Sequence, residues 1–276
     1  MYRLVSDQHE VVAGDYYFPQ PENVFTVAWR LTHGDYKTNQ IKTTIPDDSS
    51  VNEIAFILKN NYPSFDTVHF LTIANSQEGY LFPDTYTFPE GTTAREAVGA
   101  MVAQFERTWK PAWTARLDTI DMSRNDLMTL ASIVEKEAKL PEERPVIAAV
   151  YMNRLRAGML LQADPTVQYA LPQHETRLLY KDLKVKSPYN TYRHLGLPPG
   201  PIASPGKASI LAALYPAHVP YKYFVAAPDG HHEFRVDYKG HEEAVREMRR
   251  ERAALARADA ARKDTARARP PVRKRD

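Results

Sequence analysis

The sequence predicts an α+β protein: a small N-terminal α/β subdomain followed by a larger domain of mixed helices and strands. Three observations predict it. Strand-like runs accompany a capped helix in the first 70 residues, capped amphipathic helices fill the middle, and a Pro-Asp-Gly turn joins two strand-like runs near the end.

"EVVAGDYYF" (10–18) and "NQIKTTI" (39–45) carry the β-branched and aromatic content of strands. "PDDSSVNEIAFILKNNYP" reads as a helix capped by Ser50 or Ser49, with Val51, Ile54, Ala55, Ile57 and Leu58 at helical spacing. Residues 76–92 hold Gly79, Gly91, Pro83 and Pro89 among aromatics, which predicts a loop and no regular helix. A helix opening at Thr92 or Thr93 follows, with Ala97, Val98, Met101, Val102 and Phe105 on one face. The next begins at Ser123. A third runs from the acids after Pro141 to a stop at Gly158, as helix dipole and C-cap chemistry favour. From Met159 to Pro216 the chain reads as loops between short elements, ending in the helix "SPGKASILAALYPA". A hairpin turns at Pro228-Asp229-Gly230. The polar stretch from His241 is helical, and residues 265–276 are predicted disordered.

Composition limits the functions open to this chain. Its 276 residues are 43% hydrophobic and contain no Cys, which excludes disulfides and thiolate chemistry. The net charge is +2, but residues 241–276 hold twelve Lys/Arg against seven Asp/Glu, so the first 240 residues carry −3. Those interspersed acids and the lack of aromatics point to a solvated helix and not to nucleic-acid binding. No apolar run approaches the roughly 20 residues of a membrane span, and Met1 does not open a signal peptide. His231, His232 and Glu233 raise the question of a metal. Neighbours on a strand face opposite sides and no HExxH spacing exists, so no metal site is predicted.

The stretch "ASIVEKEAKL" (131–140) holds the most informative residues. On a helical wheel Leu127, Leu130, Ala131, Val134 and Ala138 cluster on one side, with Lys136 opposite. Glu135 and Glu137 lie about 200° apart, so one site cannot use both. Glu135 is placed for a surface i,i+4 pair with Lys139. Glu137 lies over Ile133 and Val134 at the edge of the apolar face. Burial there would raise its pKa and suit it to general-acid work. The alternative is a flank residue whose carboxylate reaches water.

Five motifs occur in a fixed order: "EGYLFPDTYTF" (78–88), "ASIVEKEA" (131–138), "VYMNRL" with "GMLLQADPTVQYAL" (150–171), "YNTY" with "GLPPGPIASPG" (189–206), and "YKYFVAAPDGHHEF" (221–234). From about Val11 to Arg246 the chain resembles the MltG (YceG-like) family of endolytic murein transglycosylases. The resemblance implies a lyase, free of metal and organic cofactor, that cleaves the MurNAc-β-1,4-GlcNAc bond inside nascent glycan strands and leaves 1,6-anhydro-MurNAc ends. It implies one Glu as acid and then base, and the motif puts it at Glu137. A hydrolase generally needs two carboxyls, whereas here the substrate's 6-hydroxyl is the nucleophile. Gln162, Asp164, Thr166, Tyr189, Asn190 and Tyr192 become candidates for sugar hydrogen bonds and stacking, and Glu78 for lining the cleft. For each the alternative is loop fixing. Pro198, Pro199, Gly200 and Gly206 are read as loop shape.

The same resemblance divides the chain into a LysM-like subdomain (1–72), a catalytic domain (73–246) and a basic polar helix with a tail (247–276). Its members are anchored at the extracytoplasmic face of the bacterial cytoplasmic membrane. Met1 is expected to fall inside the LysM-like part, downstream of any anchor. Peptidoglycan strands are the implied partner, with cell-wall synthases as further candidates. Two rival readings stand beside it: a non-catalytic peptidoglycan-binding scaffold, and a muramidase that hydrolyses the same bond.

Overall fold

The structure is a computed structural model that describes residues 10–13, 16, 18, 20–35, 40–173 and 175–267. It is α+β, with helices packed beside two small antiparallel sheets. Among the described residues ten α-helices follow in chain order: α1 (Val24–His33), α2 (Val51–Asn61), α3 (Thr67–Ala74), α4 (Ala94–Thr108), α5 (Pro111–Ile120), α6 (Arg124–Glu137), α7 (Arg144–Arg156), α8 (Asp164–Ala170), α9 (Lys207–Leu214) and α10 (Tyr238–Arg267). The strands are β1 (Gln40–Thr44), β2 (Thr85–Pro89), β3 (Tyr223–Ala226) and β4 (His232–Arg235).

Local chemistry sets the helix starts. Ser50, Thr93 and Ser123 each form a reciprocal capping box, with Glu53, Glu96 and Asp126 respectively, which fixes the choices left open between Ser49 and Ser50 and between Thr92 and Thr93. Gly158 adopts φ +62° just beyond α7, as predicted for its stop. The hairpin pairs Tyr223 with Arg235 and Ala226 with His232 around the expected turn.

The departures have physical reasons. Residues 76–92 are not all loop: "TYTFP" forms β2 and pairs with β1 from Gln40↔Pro89 to Thr44↔Thr85. Pro89 is tolerated because it ends the strand. The loop-like region after Met159 contains α8, which opens at Asp164-Pro165, where proline suits a first helical turn. The helices α1, α3 and α5 were not expected; α5 opens at Pro111, where proline suits a first helical turn and splits it from α4. Part of "EVVAGDYYF" lies outside the described residues, and those of 10–18 that are described form no strand. The last helix runs to Arg267, into the stretch expected to be disordered, and 268–276 lie outside the described residues.

Two apolar cores organise the chain. One joins Ile45, Ile54, Leu58 and Phe70 to Leu81, Tyr86, Phe88, Ala97 and Met101. Residues on both sides of the expected boundary at 72/73 therefore build one core, and β2 and α4 complete it. The other gathers α5, α6, α7 and α9 around Leu130, Ile133, Val134, Ile147, Tyr151 and Ile210. Every residue of α6 from Leu127 to Glu135 is buried, because α7 and α9 pack on it together with α5 and α8. The single apolar face drawn on the wheel is therefore incomplete. Thr129 and Ser132 are buried by donating to Asn125 O (2.7 Å) and Thr129 O (2.8 Å). Lys136 does not point away. Its Nζ donates to Asp48 O (2.9 Å) and pairs with Asp48 Oδ1 (3.0 Å), tying α6 to the N-terminal part.

Candidate active site

Glu137 is the last residue of α6, at the negative end of the helix dipole, where a carboxylate is disfavoured. Its carboxyl lines a cavity of about 310 Å³. Tyr151 Oη, reaching in from α7, donates to Glu137 Oε1 at 2.8 Å and leaves Oε2 without a protein partner among the described residues. Burial pushes the Glu137 carboxyl up to about 7. The Tyr151 bond and the nearby Arg154 charge pull it down, and the Asp164 charge pushes it up. Tyr151 is itself raised well above its ordinary range by burial and by Glu137, so it remains a donor.

Glu135, two residues earlier, is not on the surface and does not pair with Lys139. It is 7% exposed, accepts Arg144 Nη2 at 2.9 Å and accepts Gly206 N at 2.8 Å. The helix is packed on both sides, so the position that faces away from the apolar stripe meets α7 and the loop before α9, not water. The carboxylate of Asp47 lies where a Cβ on Gly206 would go, which explains a glycine there.

The expected substrate-binding residues separate into three groups. Gln162, Asp164 and Tyr192 line the cavity with Glu137. Tyr192 Oη donates to Asp164 Oδ1 at 2.5 Å, and burial with that carboxylate raises the phenol. Gln162 holds φ +50°, a conformation that side chains rarely adopt, and its N–H donates to Thr191 O (3.1 Å). Thr166 and Asn190 are fully buried and fix loops. Thr166 Oγ1 donates to Ala163 O (2.7 Å), while Asn190 Nδ2 donates to Leu183 O (3.0 Å) and Val185 O (2.9 Å) and its Oδ1 accepts Tyr192 N (3.0 Å). For these two the loop-fixing alternative is the one the geometry supports.

Glu78 and Tyr189 stand together outside the cavity lining. Glu78 accepts Val51 N at the start of α2 (3.1 Å) and Tyr169 Oη (3.3 Å), and the Tyr169 and Tyr189 rings lie 4.8 Å apart. Burial pushes Glu78 up to about 7. Its neighbour Gly79, at φ +82°, lies against Pro201, so the aromatic loop and the "GLPPGPI" loop touch where no side chain fits.

Sequence reasoning missed Tyr151, Arg154 and His241 and weighed His232 only as a metal ligand; all four lie on the cavity wall. Their signal was faint. Tyr151 and Arg154 sit at i,i+3 on α7 and so share a face, but α7 is buried on every side from Ile147 to Met152, so no single face stands out. The strand rule for the adjacent histidines holds. His232 turns inward and its Nδ1 meets Glu143 Oε2 at 2.6 Å, whereas His231 lies outside between Asp229 and Glu233. Among the described residues no group of three or more His, Cys, Asp or Glu could hold a metal.

Comparison with known proteins agrees with this architecture. The YceG-like family matches residues 1–247. The chain is 38% identical over 211 residues to an endolytic murein transglycosylase of Bacillus subtilis (strain 168), covering 76% of this chain and 58% of that protein. It is 35% identical over 154 residues to the protein of the same name from Streptococcus pneumoniae serotype 2 (strain D39), covering 54% of this chain and 28% of that one. The chain thus spans little more than half the length of the first and about a quarter of the second. The crystal structure of a yceG-like protein from Listeria monocytogenes, lmo1499, superposes with a TM-score of 0.68 at 33% identity, covering 79% of this chain and 80% of that one.

Proposed function

The chain belongs to the YceG-like family, and from that premise we propose that it is an endolytic peptidoglycan lytic transglycosylase with Glu137 as its acid and base. The observation that carries the reading is a cavity carboxyl raised to about 7, bonded by Tyr151 and free at Oε2. A group with that pKa is half protonated near neutral pH and serves both halves of the reaction.

In the first half Glu137 Oε2 gives its proton to the glycosidic oxygen as the bond from muramoyl C1 to that oxygen breaks. In the second half the muramoyl 6-hydroxyl oxygen bonds to C1 and its proton passes to the Glu137 carboxylate. The acid is restored, the product carries a 1,6-anhydro ring, and no water enters. Tyr151 holds Oε1 and so aims Oε2. Gln162, Asp164 and Tyr192 are read as sugar contacts, with Thr166 and Asn190 shaping the loops that carry them. Residues 73–246 are read as the catalytic domain. Residues 1–72 are read as a LysM-like subdomain, its core completed by β2 and α4. The substrate would place its action at the wall side of the cytoplasmic membrane, beside the cell-wall synthases. No helix among the described residues is long and apolar enough to cross a membrane.

A hydrolytic muramidase is the second reading, favoured by Asp164 sharing the cavity as a second carboxyl. Mass spectrometry of the products from purified peptidoglycan, with Glu137→Gln beside the unaltered protein, decides between them. The expected result is anhydro-muramoyl ends, lighter by one water than reducing ends, that vanish in the variant. Reducing ends would establish the hydrolase, and cleavage that survives in Glu137→Gln would remove Glu137 from the chemistry.

A further inference from the structure

One wall of the cavity holds a cation that the proton transfers above do not use. Arg154 is 7% exposed, yet no described carboxylate pairs with it. Neutral groups anchor it. Nε donates to Lys222 O (2.6 Å), Nη1 to Leu161 O (2.6 Å), and the guanidinium carbon lies 5.3 Å from the centre of the Tyr223 ring. Nη2 makes no hydrogen bond to a described group, and the residue lines the cavity. No described carboxylate lies within ion-pair distance of it, although its charge reaches Glu137 across the cavity. His241, stacked on Tyr223 at 5.4 Å, has a buried Nδ1 without a partner and is pushed down by burial and by Arg154. The Glu143 carboxylate is turned to His232. Glu137 and Asp164 lie in the same cavity but outside ion-pair distance of the guanidinium.

A buried charge without a counterion is costly, and proteins normally pair or coordinate such a group. Sugar hydroxyls and acetamides are neutral and do not neutralise it. In murein the anions nearest the cleaved bond are carboxylates on the muramoyl 3-O-substituent: the lactyl group itself, or the stem peptide attached to it. We propose that Arg154 Nη2 binds a carboxylate of the muramoyl 3-O-substituent and so makes this cavity selective for the state of that arm. The assignment rests on the reading of the protein as a murein-cleaving enzyme. It adds a substrate contact on α7, one turn from Tyr151, that fixes which sugar lies over Glu137.

The test is equilibrium binding to the unaltered protein by calorimetry, which does not depend on turnover. The probes are GlcNAc-MurNAc-L-Ala-D-isoGln with its carboxylate free, the same compound as its methylamide, GlcNAc-MurNAc with a free lactyl carboxylate, and its methylamide. A charge-assisted bond to a desolvated arginine predicts roughly tenfold weaker binding for the methylamide in one pair. The pair that shows it names the source, stem or lactyl. Arg154→Gln, checked for cooperative thermal unfolding, is expected to bind free acid and methylamide alike. If it does not fold, the ratios from the unaltered protein stand alone. Equal affinities within both pairs, or no binding of any probe, overturn the proposal. Strands cleaved to anhydro ends with equal affinities would sink the anion site and leave the transglycosylase. Discriminating binding without cleavage would do the reverse.

Discussion

Replacing Glu137 by Gln should remove activity and stabilise the protein at alkaline pH. The folded-state carboxyl is raised from 4.5 to about 7, so folding holds its proton more tightly than the unfolded chain does. The sign follows directly. Below 4.5 both states are protonated and the carboxyl carries no penalty. As pH rises toward 7 the unfolded chain gains the ionisation that the folded cavity resists, and folding weakens. At about 1.4 kcal/mol per pH unit, the full penalty above pH 7 is about 3 kcal/mol. Gln has nearly the same shape, still accepts from Tyr151 and does not ionise. The assay is urea unfolding of both proteins at pH 5 and pH 8. The variant should exceed the unaltered protein by about 2–3 kcal/mol at pH 8 and by under about 1 kcal/mol at pH 5. In thermal unfolding the pH 8 difference corresponds to about 5–10 °C. Equal stabilities at pH 8, or a gap that does not change with pH, would mean that Glu137 is not desolvated, and the general-acid argument would fall with it.

Two further variants probe the same helices. Tyr151→Phe removes a donor that favours the ionised Glu137, so the carboxyl should rise about 1–2 units from its present value of about 7; the alkaline limb of the kcat/KM profile should move up with it, and an unmoved limb would detach Tyr151 from the acid. Glu135→Gln leaves the partly exposed Arg144 without its ion-pair partner and should lower the unfolding free energy by about 1–3 kcal/mol; a loss under about 0.5 kcal/mol in urea would show that the pair contributes little.

Much of the fold was legible because local chemistry and tertiary packing agree in it. The capping boxes at Ser50, Thr93 and Ser123 and the αL glycine after α7 are written within a few residues, and the structure keeps all of them. What the sequence hides is long-range. The strand β2 is made a strand by β1, some forty residues away, and α8 sits among prolines and glycines that signal loops. At the site, Glu137 was legible as a carboxyl at the edge of an apolar face. Arg154 and His232 were not, since each is polar in a region whose neighbours say only that it is buried. The wheel failed for Glu135 because it assumes one wet side, and α6 has none along most of its length.

That failure explains why two glutamates stand two residues apart. They point to different neighbours, yet both join α6 to α7. Glu135 clamps Arg144, at the first residue of α7, and Glu137 takes the hydroxyl of Tyr151, two turns further along the same helix. The first contact is charged and buried, so it fixes how the two helices sit. The second is a single hydrogen bond from a phenol, too weak to do so alone. The direction of Glu137 Oε2 is therefore inherited from the Glu135–Arg144 pair and from the continuous burial of Leu127 to Glu135 that holds α6 rigid. An acid that must both give and take a proton needs a raised pKa and a fixed aim. Here the two requirements fall on different residues. Burial and Tyr151 set the pKa of Glu137, and Glu135 keeps the geometry in which that pKa is useful.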